Sequence, residues 1–169
     1  MIDWIDIVTT PLWFGFAAIG FAVLFNVPQR TLVIIFCIAV AAGAAKMALL
    51  HIGLNIVITS FLAAAIVGLL SVPAAHNKHA PPLVFSIPAV IPLIPGVLAY
   101  QTMLGLMTLS ASKAGAASTQ VLSETISDGL KVMFILVSLS AGVALPLLLS
   151  RRESAKHVRL TKLFSEGEE

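Results

Sequence analysis

The stretch of residues 85–105, FSIPAVIPLIPGVLAYQTMLG, is apolar enough to cross a membrane but carries three prolines and a glycine near its middle. Inside a helix each proline removes a backbone donor and clashes with the carbonyl four residues earlier, which costs about 3 kcal/mol. The segment is therefore predicted to break at Pro88, Pro92, Pro95 and Gly96. Because lipid offers no hydrogen bonds, broken backbone at membrane depth must be covered by protein or line a cavity. The break thus predicts a site near the bilayer midplane, and the alternative is a kink with a purely structural role.

Composition assigns the chain to the membrane. Hydrophobic residues make up 59% of its 169 residues and charged residues 11%, with a mean hydropathy of +1.02. The apolar runs are about 20 residues long, the length of a membrane-spanning helix, and they lack the alternation of barrel strands. The predicted fold class is an all-α integral membrane protein. The net charge of +2 comes from the basic C-terminal end, so nucleic acid is not an expected partner.

The apolar runs predict about five transmembrane helices in a single domain over residues 1–150, and the proline-broken helix is the fourth of them. Their approximate bounds are residues 9–27, 31–50, 54–73, 83–109 and 128–150. Residues 151–169 form a basic tail. An odd number of spans places the two ends of the chain on opposite sides of the membrane.

The lysines and arginines favour an orientation with the N-terminus outside and the C-terminal tail in the cytoplasm. In that orientation most of the ten basic residues lie on the inner side. These are Arg30, Lys78, Arg151, Arg152, Lys156, Arg159 and Lys162. The remaining three, Lys46, Lys113 and Lys131, then lie toward the outside.

Lys46 is a charged residue inside the second predicted span, directly after a run of alanines and a glycine. If the helix starts at Thr31, Lys46 lies about 22 Å along it, short of the full thickness of the hydrocarbon core. One interpretation is a lysine whose ammonium reaches the membrane surface, with its aliphatic stem in lipid. The other is a lysine that faces a cavity and serves as the counter-charge of an anionic substrate.

Polar side chains also occur in the third predicted span, where Asn55 and Thr59 share one face of the helix. As hydrogen-bond donors they are candidate contacts for a substrate. Polar groups at this depth equally often join helices, at about 0.6 kcal/mol for each hydrogen bond. Both interpretations are open from the sequence.

The turn at Pro92, Pro95 and Gly96 begins a new half-helix in which Tyr100 lies one turn further on. The first N–H groups of a helix have no intrahelical partner, and they point toward anions. This turn, together with Tyr100, is therefore predicted to hold a carboxylate group. The alternative for Tyr100 is a packing role.

Several classes of activity are not expected. The chain lacks paired acids within its spans, an HExxH motif and a phosphate-binding loop, so an enzyme or a nucleotide-driven pump is not predicted, and no cofactor is implied. The lone Cys37 cannot form an intramolecular disulfide. His76 and His79 form an H-x-x-H pair without a third ligand nearby, so no metal site is predicted.

Three stretches resemble a known family. They are GFAVLFNVPQRTL (20–32), GLNIVITSFLAAAIVG (53–68) and AVIPLIPGVLAY (89–100). These resemble the small membrane subunit of the threonine/serine exporter family, in its split, two-component type. The resemblance implies export of threonine and serine, and a split pair similar to this one is linked to export of the dicarboxylate succinate. It also implies a partner, a longer protein with a soluble N-terminal region and five spans of its own.

The resulting hypothesis is a membrane subunit of a two-component secondary exporter of small carboxylate-bearing metabolites in the inner membrane of a bacterium. Its expected partners are the larger membrane subunit of the same exporter family, the small-molecule substrate and the lipid bilayer. The alternative is a scaffold subunit that assembles with a larger partner and transports nothing itself. A homo-oligomer that transports without a companion is also left open.

Overall fold

The computed structural model of this chain consists of helices joined by short turns, over the residues that it describes. These are residues 4–111 and 119–165, with side chains described for residues 9–111 and 119–150. The helices are α1 (Trp4–Leu24), α2 (Leu32–His51), α3 (Ile56–Lys78), α4 (Pro82–Val90), α5 (Gly96–Ala111) and α6 (Thr119–Ser165). Single 3-10 turns, Gln29–Thr31 and Ile91–Leu93, precede α2 and follow α4. The predicted all-α class is confirmed.

Within the described residues, three helices are long and apolar enough to cross a membrane. They are Gln29–His51, Ile56–Lys78 and Thr119–Ser150. A fourth span is the pair Leu83–Leu93 and Gly96–Ala111, which is bent by 55° at its break. The first predicted span corresponds to α1, whose described apolar part, Thr9–Leu24, is shorter than these spans.

The break in the fourth span lies where the sequence predicts it, with one correction. Pro92 falls in the 3-10 turn and Pro95 directly after it, so both belong to the break. Pro88 instead lies inside α4, which continues past it to Val90. Pro73 likewise lies inside α3, which continues past the predicted end to Lys78.

The basic tail extends α6 as a helix to Ser165. Its side chains, and Lys113, lie outside the part of the chain whose side chains are described. The cytoplasmic position of residues 151–169 and the orientation of the chain in the membrane therefore stay predictions.

Close helix packing is achieved through glycines. A Cβ added to Gly68 of α3 would lie 2.8 Å from the Val143 carbonyl oxygen of α6, and one added to Gly142 of α6 would lie 2.6 Å from the Phe61 carbonyl oxygen of α3. Both separations are too short for a real side chain, so the two backbones approach each other directly. The order of these contacts shows that α3 and α6 run in the same direction.

The two halves of the broken span pack against different helices. α4 lies against α2 and α3 and also contacts α1, and its Phe85 and Ala89 are buried in the core. α5 lies along α6, where Gly105 accommodates Thr125 and Gly129 accommodates Thr102. The bend at the break therefore packs α4 against α1, α2 and α3 and packs α5 against α6.

Candidate functional site

The break results from the residue before a proline. A proline ring disfavours helical backbone in the preceding residue and shifts it to extended conformation. Ile94, which precedes Pro95, has φ −63° and ψ 133°, so the helix cannot continue through it. In a straight helix the Leu93 carbonyl would accept a hydrogen bond from the Val97 N–H. Among the described residues no backbone N–H reaches this carbonyl, because the chain has turned away.

Lys46 supplies the missing donor. Its Nζ donates a hydrogen bond of 3.0 Å to the Leu93 carbonyl oxygen, and the residue is only 7% exposed. The ammonium thus points into the helix bundle and contacts the break. Of the two interpretations that the sequence leaves open, this geometry favours a lysine that faces the interior.

The charge of Lys46 is incompletely compensated. In the part of the chain with described side chains, Lys46 is the buried charged residue, and the one ion pair there joins Lys131 to Asp128 near the surface. An ammonium has three N–H groups, and the Leu93 carbonyl takes one of them. A buried charge with a single neutral acceptor is energetically costly.

Asn55 and Thr59 have local structural partners. The Asn55 side chain accepts a hydrogen bond of 2.9 Å from the Val57 N–H and so caps the start of α3. Thr59 is fully buried, and its hydroxyl donates to the Ile56 carbonyl at 3.0 Å. Neither of these bonds reaches Lys46 or the break. Their role as substrate contacts stays a prediction.

The start of α5 has the free donors that a carboxylate would need. The N–H groups of Gly96 and Ala99 are bonded to the carbonyls of Ile94 and Pro95. The next two, of Val97 and Leu98, have no backbone partner among the described residues. These two N–H groups follow shortly after Leu93, whose carbonyl binds Lys46.

Tyr100 lies further along α5 and is 64% exposed. None of the described residues of α5 is buried, so this helix packs with one side on α6 and exposes the rest. Tyr100 therefore lies on an open surface of the chain. Its predicted place beside the carboxylate is not tested by this geometry.

A groove of about 680 Å³ separates α4 from residues 136–150 of α6, with the end of α3 as its third wall. It extends from His76 and Ser150 at one end to Val90 and Ile94 beside the break. Apolar side chains line most of it. Ser86 also lines the groove, and its hydroxyl is buried without a hydrogen-bond partner.

The H-x-x-H pair, His76 and His79, lies at the end of α3. The Nδ1 atom of His76 lies 2.9 Å from the Val72 carbonyl oxygen, and His79 ends α3 in left-handed backbone, φ 53°. Among the described residues no group of three or more histidine, cysteine, aspartate or glutamate side chains lies together.

Sequence reasoning missed the Leu93 carbonyl, which is a backbone group and carries no residue-type signal. The dipeptide Ile94–Pro95 did contain the signal, since an extended residue before a proline frees the carbonyl that precedes it. The partner of that carbonyl lies 47 residues earlier in the chain. Local sequence could not identify it.

Comparison with known proteins identifies the family of the chain. No solved structure matches this chain. An uncharacterized protein of Haemophilus influenzae is 34% identical over 142 residues, which cover 84% of this chain and 47% of that protein. The chain thus spans about half the length of this curated relative. The profile of the Threonine/Serine exporter, ThrE, matches residues 12–149. The chain therefore belongs to the threonine/serine exporter family.

Proposed function

We propose that this chain is the membrane subunit of a two-component secondary exporter of small carboxylate-bearing metabolites. Threonine and serine are the first candidate substrates, because the family is named for their export. A dicarboxylate such as succinate is the second. Family membership implies a transporter rather than an enzyme. Without a phosphate-binding loop in the sequence, an ion gradient is the expected source of energy.

The observation that carries this proposal is the buried contact between Lys46 and the break in the fourth span. Discontinuous helices near the bilayer midplane form the substrate sites of many secondary transporters. Here the break combines a buried positive charge, from Lys46, with the free N–H groups that start α5. Lys46 would hold the carboxylate, and the turn of Pro92, Pro95 and Gly96 would surround it. Asn55, Thr59 and Tyr100 remain proposed contacts for the rest of the substrate.

The proposed partner is a longer membrane subunit. Support comes from the Haemophilus influenzae relative, of which this chain covers only 47%. The groove between α4 and α6 is a suitable surface for that partner, since it lies between two helix faces that are lined mainly by apolar residues at helical spacing. We propose that one apolar helix of the companion lies in this groove. In the proposed orientation, in a bacterial inner membrane, the groove opens toward the cytoplasm.

Efflux measurements test the function. Cells that lack the exporter are preloaded with labelled threonine, serine or succinate and express this chain, its longer companion, or both. The expected result is efflux of at least one of the three only when both chains are present. Efflux with this chain alone would contradict the two-component proposal.

A matched pair of lysine variants tests the site in the same cells. Lys46→Met keeps the length and apolar character of the stem and removes the charge, and it is expected to reduce efflux to background. Lys131→Met removes an exposed lysine that is paired with Asp128, and it is expected to leave efflux unchanged. Both variants are compared at equal membrane abundance. Efflux that is indifferent to Lys46→Met would favour a scaffold role for this chain.

A further inference from the structure

We infer that the carboxylate of the substrate takes Lys46 away from the Leu93 carbonyl, so that substrate binding itself releases the broken span. This inference rests on the proposed export function and adds to it how binding is coupled to movement. Lys46 then has two alternative acceptors. The backbone carbonyl holds it in the empty state, and the carboxylate holds it in the loaded state.

The hydrogen bond from Lys46 to Leu93 is well placed to hold the turn after α4 against α2. We call this arrangement the closed state of the break. The bond joins α2 to the end of the turn that follows α4, over a separation of 47 residues. By contrast, the hydroxyl hydrogen bonds of Thr31, Thr59, Ser71 and Thr102 join residues that are only three or four apart in the chain. Because α4 and α5 pack on different helices, the break is the point where the two halves of the span can move relative to each other.

A carboxylate is a better acceptor for Lys46 than the carbonyl is. Hydrogen bonds between two charged groups are shorter and about twice as strong as those between neutral groups. Among the described residues the neutral Leu93 carbonyl is the acceptor of Lys46, so two ammonium N–H groups and most of the positive charge remain uncompensated there. We expect a carboxylate to be favoured over the carbonyl by about tenfold.

The exchange of acceptors also explains why binding would shift the conformation. A ligand moves an equilibrium only when it binds one state better than the other. A carboxylate gains the Lys46 ammonium only in the state where Lys46 has left Leu93. An otherwise identical ligand without the carboxylate gains nothing from that state and leaves the break closed.

The release can be measured with a thiol on α4. Ser86→Cys, in a background of Cys37→Ala, replaces a buried hydroxyl without a partner by a thiol of similar size, two turns before Leu93. Its rate of modification by N-ethylmaleimide reports how well α4 stays packed. Ser138→Cys in the same background is the control, because Ser138 is also buried but lies on α6. The full chain is used in membranes, together with its companion.

The expected result is a modification rate at Ser86→Cys that rises about tenfold with threonine, serine or succinate, whichever is exported. The amide of the same compound, such as threoninamide, keeps the other groups and is expected to leave the rate unchanged. Lys46→Met is expected to raise the rate without any ligand, since Leu93 has lost its donor. Lys46→Arg, which keeps a charged donor, is expected to keep the low starting rate. Ser138→Cys is expected to stay unreactive throughout.

The outcomes separate this inference from the proposed function. If the cells export a substrate but its acid and its amide change the rate equally, or neither changes it, the acceptor exchange is wrong and the export function stands. If Lys46→Met leaves the ligand-free modification rate of Ser86→Cys at the value measured with Lys46 intact, the contact does not hold the break. The inference is then also overturned. If none of the three compounds is exported, the proposed function fails first, and the inference fails with it.

Discussion

At the scale of single residues, the position of Lys46 shows how a buried charge and a broken helix can satisfy each other. A lysine at the centre of a membrane helix costs about 2.5 to 3.5 kcal/mol on insertion scales. An unpaired backbone carbonyl in the same environment is also costly. The hydrogen bond from Lys46 to Leu93 reduces both costs at once. It leaves most of the charge without a counter-ion, which is the basis of the proposed anion site.

Asn55 allows a test that separates a structural role from a role in substrate binding. Asn55→Ala is expected to reduce the free energy of unfolding by about 1 kcal/mol, because the Val57 N–H loses its acceptor. Asn55→Asp keeps an acceptor at the same position and is expected to restore most of that stability. The measurement is thermal unfolding of the purified chain in detergent, with efflux measured at equal abundance.

If capping is the main role of Asn55, efflux follows the amount of folded protein in both variants. A loss of efflux in the stable Asn55→Asp variant would instead indicate that the amide contacts the substrate.

At the scale of helices, proline alone does not explain where the chain breaks. Pro73, Pro88 and Pro146 all lie inside continuous helices. At the break two prolines follow each other at a spacing of three, and Ile94 between them has become extended. Successive losses of backbone donors over one turn leave too few helical hydrogen bonds to offset the clash with the second ring. Pro95 is therefore the residue that ends the helical path.

Replacing Pro95 tests this account. Pro95→Ala allows Ile94 to become helical, and the Val97 N–H can then bond to the Leu93 carbonyl. The bend of 55° is expected to decrease. Spin labels at Leu83 and Met107 are expected to move apart by about 3 Å as the two halves align. Efflux is expected to fall to near background, since the Leu93 carbonyl is no longer available to Lys46 and the turn at Pro95 is no longer formed.

The control for this substitution is Pro73→Ala, which removes an exposed proline from the continuous helix α3. It is expected to leave both the label distance and efflux unchanged. An unchanged distance in Pro95→Ala would show that tertiary packing, rather than this proline, maintains the bend.

At the scale of the whole molecule, the break directs the two halves of the fourth span to different neighbours and leaves a groove between α4 and α6. α4 packs on the first three helices, while α5 packs on α6, which itself packs closely on α3. Exposed apolar residues by themselves are expected in a membrane protein, where lipid covers them. A concave groove of about 680 Å³ that contains a buried, unpartnered hydroxyl is a more specific feature.

A bulky substitution tests whether the companion occupies the groove. Ala144→Trp adds a large side chain to the α6 wall of the groove, and it is expected to abolish both copurification of the companion and efflux. Leu149→Trp adds the same side chain to an exposed position of α6 that does not line the groove, and it is expected to preserve both. Thermal unfolding of each variant alone checks that the chain itself is intact. Copurification that survives Ala144→Trp would place the companion elsewhere.

The helices themselves were predictable because the bilayer imposes strong local constraints. Apolar runs of about 20 residues must be helical, since every backbone group needs a partner within its own segment. Helix α2 and the pair α4–α5 begin and end within a few residues of the second and fourth apolar runs, whereas α3 continues past Pro73 to Lys78. The break at Pro92 and Pro95 followed from the same reasoning, because a missing donor is visible in the sequence. The same reasoning also predicts a break at Pro88, but Pro88 lies inside α4, since one proline with intact neighbours is tolerated.

The candidate site depended on tertiary structure. By itself the sequence determined that Lys46 is charged, that it lies within a span and that a break follows 47 residues later. Only the packing of α4 against α2 decided that the two meet, and that the ammonium turns inward to the Leu93 carbonyl instead of outward to the membrane surface. The physical reason is that a lysine side chain is long and flexible enough for either direction, so its choice depends on which acceptor a distant segment brings within reach.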